Sequence, residues 1–75
     1  MITNQESSFD SSMIQRCFYD YTKQILKVQF QSGQLYEYAN VEPETYQSLC
    51  IAESSGQFFV QNIKGKYDYS QLITG

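Results

Sequence analysis

The 75-residue chain contains no histidine. That removes the usual general base, the commonest metal ligand and the side chain that titrates near neutral pH. Cations are scarce too: Arg16, Lys23, Lys27, Lys64 and Lys66 stand against eight acids, for a net charge of −3. A strong hold on duplex nucleic acid needs a cation for each neutralised phosphate, so only a local basic patch remains open. No apolar stretch approaches the roughly 20 residues of a membrane span. The first residues lack a basic segment followed by an apolar run, so no secretory signal or membrane association is expected and the chain reads as cytoplasmic. There are two cysteines, Cys17 and Cys50, far apart in apolar surroundings. Buried reduced thiols are favoured over a disulfide, which needs an oxidising compartment. There is no Gly-x-Ser-x-Gly, no P-loop, no HExxH and no metal-ligand spacing. A chain this short also has little room for a water-excluding cleft. The expectation is a protein that is not an enzyme and carries no cofactor or metal.

Aromatics are plentiful, with 7 Tyr and 5 Phe. A domain this small buries only about 60% of the surface its unfolded chain exposes, so its core is thin and dimer formation would help it. Large rings, each burying roughly 150–250 Å², can build such a core. Tyrosine also serves adhesive surfaces, because the ring is rigid and its hydroxyl can stay wet.

Residues 24–40, QILKVQFQSGQLYEYAN, read as a β-hairpin with one apolar face. A two-residue Ser32-Gly33 loop would pair Val28 with Glu37 and put a carboxylate on the apolar side. A three-residue loop, Gln31-Ser32-Gly33, pairs Val28 with Tyr36, Leu26 with Tyr38 and Lys27 with Glu37. A one-residue slip turns every side chain over, so the hydrophobic pattern selects the second register. Gly33 then takes the left-handed position of a bulged turn. The Lys27–Glu37 pair contributes about 0.2–1 kcal/mol and chiefly fixes register.

Residues 1–10 read as a flexible arm and 11–75 as one domain. Residues 1–8 are polar and aperiodic, which suggests fraying, with Phe9 tucked onto the domain. In residues 13–19 neither face is cleanly polar, which suits a central strand or one covered on both sides. Residues 20–23 form a turn started by Asp20. Three strands in a meander are the economical arrangement.

Pro43 fits the first turn of a helix, and Glu44 suits the positive end of its dipole. Tyr46, Leu49 and Cys50 form one apolar stripe, so the spacing predicts a helix over 43–52. Ser55 is the expected N-cap of a second helix over 57–64, with Phe59 and Ile63 on its buried side and Gly65 as its left-handed stop. The Phe58-Phe59-Val60 run has good β propensity, so a fourth strand competes for this segment. The last ten residues, with Tyr67 and Tyr69 alternating, are expected to be extended and packed back on the domain. The fold class is therefore α+β: a three-stranded antiparallel β-meander against one or two short helices, with an extended C-terminal segment.

Together these marks resemble the KTSC domain. That family is named after the C-terminal region of some lysyl-tRNA synthetases and also occurs as short stand-alone proteins. The likeness runs from about residue 11 to residue 72. It is carried by Ser11-Ser12 before the first strand, Tyr19-Asp20 at its end, and Phe30-Gln31-Ser32-Gly33 at the turn. Tyr36-Glu37-Tyr38 is similar to the family's YxY motif, residues 43–49 to its helix, and residues 56–67 to its closing motif. The synthetase context of the family implies RNA binding.

The candidate site residues follow. Tyr36 and Tyr38 are able to stack on bases, although they share the apolar face with Leu26 and Val28, which favours packing in the core with hydroxyls at the edge. Asn62, Lys64, Lys66 and Tyr67, around a flexible Gly65, could hold a phosphate or carboxylate. The alternative is a helix C-terminus with solvated lysines. Arg16, the lone arginine, pairs with a carboxylate in a buried ion pair or completes the anion site. Two functions are carried forward. One is a binding module for an anionic ligand, single-stranded RNA or a small nucleotide, with a nucleotide-sequestering oligomer as one form of it. The other is a protein-interaction module using exposed aromatics, its partner a second copy or a host protein.

Overall fold

The computed structural model describes residues 4–8 and 12–73. Its elements are β1 (Asn4–Ser8), β2 (Ile14–Asp20), β3 (Ile25–Phe30), β4 (Leu35–Tyr38), α1 (Pro43–Ile51), α2 (Ser55–Asn62) and β5 (Tyr69–Ile73). The strands form one antiparallel sheet in the order β1-β2-β3-β4-β5. The expected three-stranded meander is its centre, β2-β3-β4, and the sheet has five strands rather than three. Residues 4–8, expected to fray, pair with β2 as Asn4↔Asp20 through Ser8↔Arg16. Polar side chains concealed this strand, because an edge strand exposed to water needs no apolar alternation. The extended C-terminal segment is β5, paired with β4. Phe9 and Ser11 lie outside the described residues.

The hairpin has the register that the apolar pattern selects: Leu26↔Tyr38, Lys27↔Glu37 and Val28↔Tyr36. Gly33 has φ +96°, and its N–H donates to the Phe30 carbonyl at 2.9 Å. Asp20 shapes the preceding turn, its Oδ1 accepting from the N–H groups of Thr22 at 2.9 Å and Lys23 at 3.1 Å.

In β2, Ile14 pairs with Phe30 but Arg16 with Gln29, so one residue is extra and the strand bulges there. The bulge resets the alternation. Ile14, Cys17 and Tyr19 are therefore all buried, although strict alternation would place Ile14 with Arg16 and Phe18. The mixed pattern thus marks a phase shift in an interior strand. It does not mark a strand covered on both faces.

Both helices lie on one face. Tyr46 of α1 stacks on Tyr19 of β2 at 4.7 Å between ring centres, and Phe59 of α2 meets Phe30 and Tyr38 edge-on. The core joins Ile14, Cys17, Tyr19, Leu26, Val28 and Tyr38 of the sheet to Val41, Tyr46, Leu49, Phe59 and Ile63. The Tyr19 hydroxyl donates to the Val41 carbonyl, so this buried ring keeps its polar end satisfied. Across the other face run Glu6, Phe18, Lys27, Glu37 and Ser70 in register, a mostly polar row.

Helix α1 begins at Pro43, as expected, and ends one residue earlier than the spacing predicted. The competing strand at residues 57–64 does not form, since α2 occupies Ser55–Asn62. Its N-cap is Ser54 rather than Ser55: the Ser54 Oγ accepts from the Gln57 N–H at 3.2 Å. Ser55 is instead buried at the first helical position. The helix closes with the N–H groups of Ile63 and Lys64 both donating to the Phe59 carbonyl at 2.9 Å, and Gly65 follows at φ +76°. This is the left-handed stop expected at that position.

Candidate functional site

The sheet brings three tyrosines together beside α2. Tyr36 and Tyr38 share the inner face of β4 because they are two residues apart. Tyr69 stands directly opposite Tyr38 on β5. Ring centres lie 5.7 Å apart for Tyr36–Tyr69, 5.8 Å for Tyr38–Tyr69 and 6.4 Å for Tyr36–Tyr38, with interplanar angles of 20°, 34° and 19°. Phe30 closes edge-on against Tyr36 at 5.5 Å, and Phe59 of α2 closes on Tyr38 at 5.5 Å. Tyr36 and Tyr38 are thus held in nearly parallel planes by perpendicular neighbours, and Tyr69 lies against both.

Depth grades across this cluster. Tyr38 is 3% exposed and Tyr69 is 60% exposed, with Tyr36 half-buried between them. The choice between core and surface therefore has a separate answer for each ring. Burial, reinforced by the nearby Tyr36 and Tyr69 hydroxyls, pushes the Tyr38 hydroxyl up to about 12. At neutral pH it is an uncharged donor and acceptor.

A cleft of about 500 Å³ opens next to the cluster, between the β3–β4 turn and α2. Its aromatic lining is Phe30, Tyr36, Tyr38 and Phe59, and Ser12, Gln31 and Ser32 supply polar groups. Lys64 stands on its wall just past the end of α2. The cleft thus combines flat apolar surfaces with one cation, an arrangement suited to a planar ring bearing a negative charge.

The other residues singled out from sequence are elsewhere. Lys66 and Tyr67 border a separate shallow depression of about 400 Å³ with Ala39, Asn40, Gly65 and Asp68. The Tyr67 hydroxyl donates to Glu42 Oε2 at 3.0 Å and lies 3.4 Å from Thr45 Oγ1, so it ties the chain after α2 to the start of α1. Asn62 Nδ2 donates to the Phe58 carbonyl of its own helix at 3.2 Å. Arg16 sits on the opposite face of the sheet, its Nη1 3.3 Å from Glu6 Oε2. The pair is exposed, which corrects the expectation of a buried one: the partner comes from polar β1, at the rim of the sheet. Tyr36, Tyr38 and Lys64 are therefore brought together, and Arg16, Asn62, Lys66 and Tyr67 are not. Tyr69 was missed, although its alternation with Tyr67 mirrors the Tyr36/Tyr38 alternation and signals a second aromatic strand.

Both cysteines are free, as expected, but only Cys17 is buried, Cys50 being partly exposed. Cys17 is fully buried, and desolvation, with the neighbouring Cys50, drives its thiol far above the ordinary range. The nucleophilic thiolate is correspondingly disfavoured. Among the described residues no group of three His, Cys, Asp or Glu side chains is placed to hold a metal ion, and no helix is long and apolar enough to cross a membrane.

Comparison with known proteins places this architecture. The chain is 40% identical over 63 residues to a lysine–tRNA ligase of Nostoc punctiforme and 41% identical over 63 residues to that of Trichormus variabilis. Each match covers 84% of this chain and 11% of the ligase, so the chain spans about a ninth of those relatives. A protein of Stutzerimonas stutzeri is 42% identical over 60 residues, 80% of this chain and 84% of its own length. The crystal structure of a KTSC domain protein from Yersinia pestis superimposes with a TM-score of 0.88 at 31% identity, covering 93% of this chain and 99% of that one. The KTSC domain model itself matches residues 10–67, and the chain belongs to the KTSC domain family.

Proposed function

We propose that this KTSC domain is a non-catalytic binding module for an anionic ligand with a planar ring, either a nucleotide or a short stretch of single-stranded RNA. The observation that carries the reading is the graded tyrosine cluster, anchored at Tyr38 and open at Tyr69, beside an aromatic cleft that holds Lys64. Rings presented this way stack on bases for about 1–3 kcal/mol per base, with little preference for sequence. One lysine supplies an anchor for one phosphate. The small cation count of the chain suits a ligand of low charge over a duplex. The presence of the same segment in lysine–tRNA ligases, proteins that meet RNA, supports the same reading.

Lys64, Tyr36 and Tyr69 would carry the contacts. Lys66, Tyr67, Asn62 and Arg16, included on sequence grounds, have other places in the fold and drop out of the site. The test is titration of single nucleotides and short RNA oligomers, read by tyrosine fluorescence and by melting temperature. Binding to the folded form raises the melting point by mass action. Lys64→Ala is expected to weaken binding about tenfold, as for loss of a charge-assisted hydrogen bond, while Lys66→Ala leaves it unchanged. Equal effects of the two substitutions, or no binding by any nucleotide or oligomer, would sink the proposal.

A further inference from the structure

The two edges of the sheet are built differently. At one edge β1 carries Glu6, held by Arg16. At the other, β5 has the sequence YSQLI, with neither charge nor proline, and all five residues are exposed. Tyr69, Leu72 and Ile73 are 60%, 46% and 48% exposed and make up half of the large apolar side chains on the described surface. Natural sheets guard such edges with charges, proline or a covering element, because the unpaired N–H and C=O groups are a template for another strand. Among the described residues the guard at this edge is the bulge opposite Leu35 and Tyr36, close to the end of the strand.

We propose that β5 is a self-association edge, on which a second copy of this chain lays its own β5 antiparallel across a two-fold axis. Backbone hydrogen bonds would suit any extended partner, so the side chains decide. The chain carries −3 overall and repels its copies at most approaches. The β5 edge is an uncharged strip, where two copies meet without opposing like charges. The register puts Tyr69 on the helix face with Tyr38 and Ile73 on the other face with Leu35, so a two-fold pairing centred on Leu72 sets Leu72 against its own copy and leaves Tyr69 away from the axis. Such an isologous contact uses one edge per chain, so assembly stops at two.

Size sets the strength. A five-residue strand is about 17 Å long, and the bulge shortens its regular part. The contact falls below the roughly 1,200 Å² of a stable complex, so the dimer forms in the micromolar to millimolar range. Opposed residues of an antiparallel pair point to the same side of the sheet. The joined ten-stranded sheet therefore carries both helix layers on one face, with two tyrosine clusters flanking the axis.

Sedimentation velocity on the whole chain, from about 10 μM to about 1 mM, tests this. The apparent mass is expected to double toward the upper end. Leu72→Lys and Leu72→Glu, at an exposed position, are each expected to remain monomeric with unchanged melting temperature. An equal mixture of the two is expected to recover the dimer. Amide exchange of β5 is expected to slow as wild-type concentration rises, which reads the edge directly without any substitution. A wild-type mass constant to 1 mM, a dimer indifferent to Leu72→Lys, or β5 exchange independent of concentration would overturn the proposal. RNA added at the highest concentration separates the two sites: if it binds while the mass stays monomeric, self-association fails and the ligand reading stands.

Discussion

Tyr38, Tyr36 and Tyr69 touch one another, yet substitution should separate their roles. Tyr38→Ala removes a ring packed on Phe59 in the core. It is expected to cost about 3–5 kcal/mol, like other large aromatic truncations, measured by urea unfolding. Tyr69→Ala removes a mostly exposed ring and should cost under 1 kcal/mol of stability while weakening nucleotide binding roughly tenfold by the stacking energy lost. Protonation separates them as well. The hydroxyls of Tyr19 and Tyr38 are both pushed up to about 12, chiefly by burial and secondarily by nearby tyrosine hydroxyls, with acidic neighbours adding to the effect at Tyr19. The folded state therefore favours the neutral phenol. Its contribution is complete below the unfolded value of about 10 and is lost as pH rises toward about 12. Melting temperature is expected to fall across that alkaline window, and more gently in Tyr38→Phe, which has no proton to lose there. Residue identity alone could not assign these roles. Tyr36 and Tyr69 both alternate in short aromatic strands, and only the neighbours that cover each ring distinguish them.

At the scale of elements, local chemistry was readable where one residue type or one face had no rival nearby. The β3–β4 register followed from which side chains had to share a face, and Gly33 from the turn that register requires. The stop of α2 at Gly65 followed from its position after Ile63. At φ +76° an added Cβ would meet nothing within 4 Å, so Gly65→Ala tests backbone conformation alone. It is expected to lower stability by about 1–2 kcal/mol, and Gly65→Asn by less. Ser54→Ala should cost about 1 kcal/mol and Ser55→Ala should leave the cap intact, because the Ser54 oxygen meets the Gln57 N–H. Adjacent serines look alike in sequence, and the cap fell to the one in extended geometry, at φ −126° and ψ 104°. The bulge in β2 was hidden for a related reason. An extra residue appears only when a strand is laid against its partner.

For the whole molecule, β1 and β5 enlarge the meander on both sides; β1 falls where fraying was expected, and β5 is the expected extended segment, paired as a strand. Residues 4–8 carry no apolar alternation, and the C-terminal segment shows Tyr69 and Leu72 with polar residues between them. Their pairing depends on edges offered by β2 and β4, which lie far away in sequence. Truncation after Tyr67 would uncover β4 and remove Tyr69. It is expected to lower the melting temperature and abolish nucleotide binding, whereas removal of residues 1–3 should leave binding unchanged. Ionic strength tests the molecule as a whole. With one cation in the cleft, the slope of log affinity against log salt should be near −0.7, the value for a single phosphate contact with a single strand. A much steeper slope would point to a basic surface spread beyond Lys64.

Composition and pattern by themselves determined the α+β class, the hairpin with its turn and the helix that starts at Pro43, and left residues 57–64 open between helix and strand. Each of these rests on side-chain periodicity, backbone preference or short-range hydrogen bonding, which act over a few residues. Tertiary structure alone decided that the sheet has five strands, that Lys64 joins the tyrosines while Lys66 and Arg16 do not, and that Tyr69 completes the cluster. Those outcomes depend on which distant edges and faces meet, and a local pattern such as the Tyr67/Tyr69 alternation shows an extended segment without naming the edge it pairs with.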